Sequence, residues 1–361
     1  MEAIFDRTTI YEAVHAVSGA LNTRAPRPAL QCIHFSVTKK EAVVSATDLR
    51  IAIRRRLAAN KVPQEGVAAV HGLRLASLLR EVTDDEVRVK IDEKTASLSA
   101  GRSTFKLGAH DPDDFAELPA FGKATLKLAP DALERLVRRT IFAAAQEQGR
   151  YAIDGVSVTI ADGKAELAAT DGRRLAVATA AVGTGKLGPC VVPPKMLAEI
   201  ARHSADAAEV GLRVAKGRLL ANAGETLVAG GLMEGSFPAY ADMIPAPAQP
   251  TIRIGASKLA SKLRQAEQLT TEESRAVVMS PSGSALRVEA KSAGLGEASI
   301  EMEAEYDGPE ISVAFNARYL LDVLGEFGDD ELVLEIPGAD RPAVIRTKDY
   351  TYVLAPVKVT A

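Results

Sequence analysis

Apolar positions in this chain switch between two periods, and the switch occurs three times. Ala3-Ile4-Phe5, Leu126-Lys127-Leu128 and Ile252-Arg253-Ile254 are short apolar strands. Each leads straight into a segment whose apolar residues recur at helical spacing. Helices are predicted from Arg7 to Leu21, Pro130 to Ala145 and Ser257 to Leu269, with Leu133, Leu136, Val137 and Ile141 marking the buried face of the second. Asp6 is placed to cap the first helix, Pro130 suits the first turn of the second, and Ser257 is placed to cap the third. A further helix opens in each copy at Val70-His71-Gly72-Leu73-Arg74, Val192-Pro193-Pro194-Lys195-Met196 and Phe315-Asn316-Ala317-Arg318-Tyr319. Strands then begin at Glu86-Val87, Glu209-Val210 and Glu331-Leu332. The helix starts are 122 and 123 residues apart, and the strand starts 123 and 122. Agreement at two landmarks identifies a threefold internal repeat.

Between the helices the period is two. Val156-Ser157-Val158-Thr159-Ile160 alternates, Asp162-Gly163 offers a hairpin turn, and Glu166-Leu167-Ala168 begins the return. Ile33, Phe35 and Val37 behave alike before the polar Lys39-Lys40-Glu41 turn. Each copy therefore reads as an α+β unit of about 120 residues, two helices on one face of antiparallel sheet. Boundaries are expected near Phe121-Gly122-Lys123 and in Pro245-Ala246-Pro247-Ala248, giving domains 1–122, 123–247 and 248–361.

Composition narrows the function. With 361 residues, 47% hydrophobic and 25% charged, the chain has the profile of a soluble globular protein. A net charge of -3 argues against a basic protein that coats nucleic acid by bulk attraction, but allows positive charge gathered on one surface. Aromatics make up 4% and tryptophan is absent, which disfavours a stacking platform for single strands. MEAIFDRTTI is no secretory signal and no apolar run is long enough to span a bilayer, so a cytoplasmic protein is expected. Cys32 and Cys190, far apart in sequence, read as reduced thiols.

Catalytic motifs are not found. Gly183-Thr184-Gly185-Lys186-Leu187-Gly188 has the letters of a dinucleotide loop, but Pro189-Cys190-Val191-Val192-Pro193 follows where a helix is required. The five histidines lack metal spacing. His110-Asp111-Pro112-Asp113-Asp114 reads as a solvated turn rather than a cation site. No metal and no cofactor is implied. A hydrolase using Asp111, Asp113 and Asp171 is the least favoured alternative. The predicted helices are rich in Arg and Lys, interleaved with acids such as Glu134, Glu199 and Asp322.

At Ala169-Thr170-Asp171-Gly172-Arg173-Arg174-Leu175-Ala176 the chain resembles the bacterial DNA polymerase III beta subunit family, the beta sliding clamps. Ala46-Thr47-Asp48 repeats its start 123 residues upstream. Further matches, in order, are Val17-Ser18-Gly19, Gly101-Arg102-Ser103 with Phe105, Arg150-Tyr151, Gly235-Ser236-Phe237-Pro238-Ala239-Tyr240, Tyr319-Leu320-Leu321-Asp322-Val323-Leu324 and Tyr352-Val353-Leu354-Ala355-Pro356-Val357. The resemblance implies three DNA-clamp domains per chain, sheets outside and helices lining a central pore, in a head-to-tail dimeric ring. Helix packing supports a dimer: six helices about 10 Å apart around a circle leave a hole of ~9 Å and twelve leave about 28 Å, against roughly 20 Å for B-DNA.

The implied function is a non-catalytic processivity factor that encircles duplex DNA without reading its sequence. It would tether the polymerase III catalytic subunit, the clamp loader and other clamp-motif proteins. By resemblance Arg24, Arg74, Arg80, Arg135, Lys195 and Arg202 lie near DNA. A peptide cleft is implied at Arg150, Ile153, Thr170, Gly172, Arg174, Leu175, Pro238, Met243, Val353, Leu354, Pro356 and Val357, and a dimer interface at Phe105, Leu107 and Leu269. Asp242 stands where clamps often carry a basic residue, Ala355 replaces a usual methionine, and Gln268 sits where an apolar neighbour is common. These departures also fit a specialised paralogue serving repair or inhibitor tolerance.

Overall fold

The computed structural model describes the chain except residues 93, 116–117, 146–153, 273–274 and 359–361. Among the described residues there are six α-helices: α1 (Arg7–Ser18), α2 (Gly72–Glu81), α3 (Pro130–Arg138), α4 (Pro194–Ser204), α5 (Ala256–Glu267) and α6 (Ala317–Leu324). Among the described residues no helix is long and apolar enough to cross a membrane. Chain contacts divide the protein into two compact units. One comprises Met1–Glu134, Val182–Leu187 and Lys195–Met233; the other comprises Arg135–Ala181, Gly188–Pro194 and Glu234–Ala361. The middle copy of the repeat is shared between them.

The first unit is built on a thirteen-stranded sheet. Strand Ile51–Leu57 of the first copy pairs with Thr226–Gly231 of the second, so one sheet runs through both copies. Helix α1 packs on α2 and on strands Ala42–Thr47 and Ile51–Leu57. Phe5, Ile10, Val14, Ile33, Phe35, Leu75 and Leu79 are buried beneath them, each worth about 1.5–3 kcal/mol of apolar transfer.

The second unit holds a nine-stranded and a four-stranded sheet. Here Arg174–Ala181 of the second copy pairs antiparallel with Tyr350–Leu354 of the third. Helices α5 and α6 pack together, burying Leu259, Leu263, Leu320 and Val323.

Local chemistry follows the sequence at most termini. Asp6 Oδ1 accepts from the Thr9 amide at 2.8 Å, so the expected cap is present. Pro130 is the first residue of α3, and Asp162 and Gly163 (φ 52° and 74°) make the expected tight hairpin turn. Ser257 is not a cap. Strand Thr251–Gly255 runs directly into α5, Gly255 is the N-cap without a side-chain bond, and Ser257 is exposed inside the first turn. Helix α3 also stops earlier than expected. The Thr140 hydroxyl donates to Leu136 O at 2.7 Å, and the chain continues as a 3-10 turn, Ile141–Ala143. Cys32 is buried, Cys190 half-buried, and both are free; burial pushes each thiol up to about 11. Leu187–Val192 is a strand, so the Gly-rich letters before it form a loop.

Candidate functional site

The recognised Thr-Asp segment forms a turn that is built twice. In the second unit Thr170 Oγ1 donates to Arg174 O at 2.6 Å and accepts from Gly172 N at 3.1 Å. Asp171 Oδ1 accepts from Arg173 N at 2.9 Å and Arg174 N at 3.0 Å. In the first unit Thr47 Oγ1 donates to Ile51 O at 2.8 Å and accepts from Leu49 N at 3.0 Å. Asp48 Oδ1 likewise accepts from Arg50 N and Ile51 N at 2.9 and 2.8 Å. The third residue has positive φ in both, 83° at Gly172 and 74° at Leu49. Thr and Asp are needed because their short side chains satisfy the amides that so tight a turn leaves without a strand partner.

The turn in the second unit positions Arg174, whose side chain is 6% exposed. Its Nε donates to Asp171 Oδ2 at 3.0 Å and one terminal nitrogen to Asp322 Oδ2 on α6 at 2.7 Å; the other donates to Phe142 O. The guanidinium also lies 4.2 Å from the Tyr319 ring centre and 5.5 Å from that of Phe142. Burial disfavours its charge, but Tyr352, Asp322 and Asp171 outweigh that and hold it firmly protonated. Arg174 therefore fastens strand Arg174–Ala181 to α6 and the Ile141–Ala143 turn. It does not present a donor to solvent.

Beside it lies an apolar cluster. Ala168, Leu175, Val177, Val344 and Val353 are buried, and half-buried Phe237, Tyr240 and Ile244 pack against them. The Tyr240 hydroxyl donates to Glu166 Oε1 at 2.6 Å; burial, reinforced by that carboxylate, raises its pKa far above the usual phenol range. Met243 is 54% exposed and Asp242 is exposed on the same short turn. Pro238, Pro356 and Val357 are half-buried and Leu354 is buried. Arg150 and Ile153 lie outside the described residues. Sequence reading missed Ala168, Val177, Val344, Phe237, Tyr240 and Ile244 as members of this cluster. A signal for Val177 was present, since it follows Leu175 at strand period. Val344 is visible only through its pairing with Val353.

The expected DNA-facing cations divide in two. Arg24, Arg74 and Arg135 are exposed and have no ion pair among the described residues. Lys195 Nζ is 2.7 Å from Asp48 Oδ2, Arg80 Nε is 3.0 Å from Glu81 Oε1, and Arg202 bonds to Glu199 and, at 3.0 Å, to Ala16 O. Burial opposes ionisation of Glu199, but bonds from His203 and Arg202 outweigh it and hold the carboxyl below its usual range. Neighbouring Arg138 and Arg139 turn inward to Glu326 and Asp349, at 3.0 and 3.1 Å.

Phe105, Leu107 and Leu269 are half-buried. Phe105 and Leu107 stand on Ser103–His110, and Leu269 follows α5, whose C-cap is exposed Gln268. Asp111 Oδ1 accepts from Asp113 N at 3.0 Å, an ordinary turn. No group of three or more His, Cys, Asp or Glu among the described residues is placed to hold a metal ion.

Comparison with known proteins gives a consistent picture. Family models for the N-terminal, central and C-terminal domains of the DNA polymerase III beta subunit match residues 1–119, 127–239 and 241–358. The chain is 27% identical to the beta sliding clamp of Chlamydia pneumoniae over 349 residues, 96% of this chain and 95% of that one. Among solved structures it matches the DnaN sliding clamp of Pseudomonas aeruginosa bound to griselimycin, with TM-score 0.90 and 26% identity over 99% of this chain and 100% of that one. It matches the C. crescentus beta sliding clamp with TM-score 0.89 and 27% identity at the same coverage. Three consecutive domain matches, set on a threefold repeat with a twice-built Thr-Asp turn, place this chain in the DNA polymerase III beta subunit family, the beta sliding clamps.

Proposed function

We infer that this chain is a DNA sliding clamp, a non-catalytic processivity subunit of DNA polymerase III. Two copies close head to tail around duplex DNA in the cytoplasm, with domains 1–122, 123–247 and 248–361 as the repeating parts. The observation that carries the ring is the repeated junction. Sheets run on from copy to copy at Ile51–Leu57 with Thr226–Gly231 and at Arg174–Ala181 with Tyr350–Leu354. A closed ring continues that rule between chains, with Phe105, Leu107 and Leu269 at the seam. Arg24, Arg74 and Arg135 supply free positive charge toward phosphates, with Arg80, Lys195 and Arg202 beside them. Mixed, partly paired charge suits a topological binder, because loose phosphate contacts exchange quickly and permit sliding.

The apolar cluster around Leu175 and Val353 is read as the floor of the cleft that takes peptides from the polymerase, the clamp loader and other clamp-motif proteins. Phe237, Tyr240, Met243 and Pro238 form its near wall, Thr170 and Gly172 its turn, and Leu354, Pro356 and Val357 its far side. Apolar anchors filling such a groove are the usual peptide-capture arrangement. The test loads purified protein onto nicked circular DNA with a clamp loader. A dimer by light scattering that stays on circles and runs off linearised DNA is expected. A monomer at micromolar concentration, or equal retention on both DNAs, would refute the reading.

A further inference from the structure

The apolar cluster beside Arg174 has a counterpart at the first sheet junction. In the second unit the row Ser157, Ala168, Val177, Thr351 and Arg346 crosses five strands, each residue opposite the next. In the first unit the equivalent row is His34, Ser45, Arg54, Leu227 and Asn222. The neighbouring row of Leu175, Val353 and Val344 corresponds to Ala52, Ala229 and Leu220. The walls correspond as well. Phe237, Tyr240 and Ile244 pack on one floor, and Phe115, Leu118 and Phe121, 122 or 123 positions earlier, line the other.

What differs is polarity. Arg54 stands where the second floor has Val177, Ser45 where it has Ala168, and His34 where it has Ser157. The first groove encloses about 970 Å³. Arg54 is half-buried in its floor. Among the described residues its guanidinium makes one hydrogen bond, to Leu118 O at 3.2 Å, and no ion pair. A guanidinium has five N–H donors, so most of this group's capacity points into the groove unmet by protein. Arg56, at the groove edge, differs: it sits 2.8 Å from Glu225 and 3.8 Å from Glu41, which neutralise it. The His34 ring stacks on Phe115 with centres 4.8 Å apart. Burial, and then Arg54, lowers its pKa and keeps the ring neutral.

We propose that the first groove is a second peptide-docking site, for a short extended peptide carrying a single Asp or Glu beside an apolar residue. The peptide's carboxylate lies on Arg54, whose planar fork suits two parallel hydrogen bonds to such a group. Its apolar neighbour covers Leu227 and half-buried Phe121, which already pack together with Leu220 and Ala229. That the ligand is a peptide rests on the reading of the second groove, whose architecture this one repeats. That it carries a carboxylate comes from Arg54.

The two floors then divide peptides by charge. A wholly apolar segment laid in the first groove would cover Arg54 without giving it an acceptor, which costs the desolvation of a charged donor. A carboxylate laid in the second would meet Val177 and Ala168 in place of Arg54 and Ser45, and find no donor there. A run of acidic residues is excluded from the first groove too. Asp113, Glu41 and Glu225 line it around the one cation that has no carboxylate partner among the described residues, so only one added negative charge is matched.

The test uses the full-length protein and three end-capped pentapeptides, Gly-Leu-Glu-Phe-Gly and its versions with Gln or Leu at the centre. Binding is read by saturation-transfer NMR of the peptides. The Glu peptide should bind roughly tenfold tighter than the Gln peptide, and Arg54→Val should erase that difference. Thermal melts confirm folding, and Arg54→Gln replaces Arg54→Val if the latter does not fold. The Leu peptide should ignore Arg54 and be lost on Val353→Asp, which reports on the second groove alone. Equal or absent binding of the Glu and Gln peptides to wild type would overturn the proposal. So would a Glu preference that survives in a folded Arg54 variant. Complete displacement of the Glu peptide by equimolar inorganic phosphate would make this a simple anion site and overturn it as well. Failure of the Leu peptide alone would overturn the second-groove reading and leave this one standing.

Discussion

Replacing Arg174 with alanine tests whether this side chain holds the second unit together. It removes donors to Asp171, Asp322 and Phe142 O, and ring contacts to Tyr319 and Phe142. Hydrogen bonds involving charged groups contribute about 1.5–3 kcal/mol each. They do not sum here, because both carboxylates keep partners: Asp322 retains Arg318 at 3.2 Å and Asp171 retains two amides. Removing one member of a buried pair costs roughly 3–5 kcal/mol, and the retained partners put Arg174→Ala toward the lower end, about 3 kcal/mol. The loss belongs to unfolding of the unit that contains Arg135–Ala181 and Glu234–Ala361. Urea denaturation followed by circular dichroism measures it, with a double-mutant cycle against Asp322→Asn. Coupling of about 1 kcal/mol or more is expected. A loss under about 1 kcal/mol together with abolished peptide binding would refute the reasoning and make Arg174 a peptide contact.

Two further outcomes follow from local geometry. Leu49 occupies positive φ where the equivalent turn has Gly172, and the residue is 59% exposed. Relief of left-handed strain, less the entropy a glycine loses, predicts that Leu49→Gly stabilises by about 0.5–1 kcal/mol; a lower Tm on heating would contradict it. For the cysteines, burial raises both thiols from 9.0 to about 11. Reaction with a disulfide reagent should be slow at pH 8 in the native protein and rise about tenfold per pH unit toward that value. Because the folded pKa is raised, the associated stability is fully present below pH 9.0 and is lost as pH rises through about 11. Fast, pH-independent native labelling would be inconsistent with buried neutral thiols.

The repeat was legible because burial on one face leaves a period in the sequence, and the Thr-Asp turn because its bonds are local. Long-range partners left no such mark. The early end of α3 comes with Arg138 and Arg139 turning to Glu326 and Asp349, about two hundred positions away. Arg174 carries the family signature, yet nothing near it in sequence announces Asp322 or the Tyr319 ring. Ser257 has the chemistry of a cap but the wrong position, since Gly255 already closes the preceding strand. The apolar cluster was half visible: Leu175 and Val353 came from motif letters, whereas Val344 needed the strand register.

The same turn meets a different fastening at each junction. At the first, Asp48 holds Lys195, whose side chain is 51% exposed, and an exposed pair of this kind is worth about 0–1 kcal/mol. That junction must therefore rest mainly on its strand ladder and on apolar contacts such as Phe121 against Leu220, Leu227 and Ala229. At the second, the buried Arg174 adds a fastening that salt barely screens. Both joints lie within one chain and have no need to part.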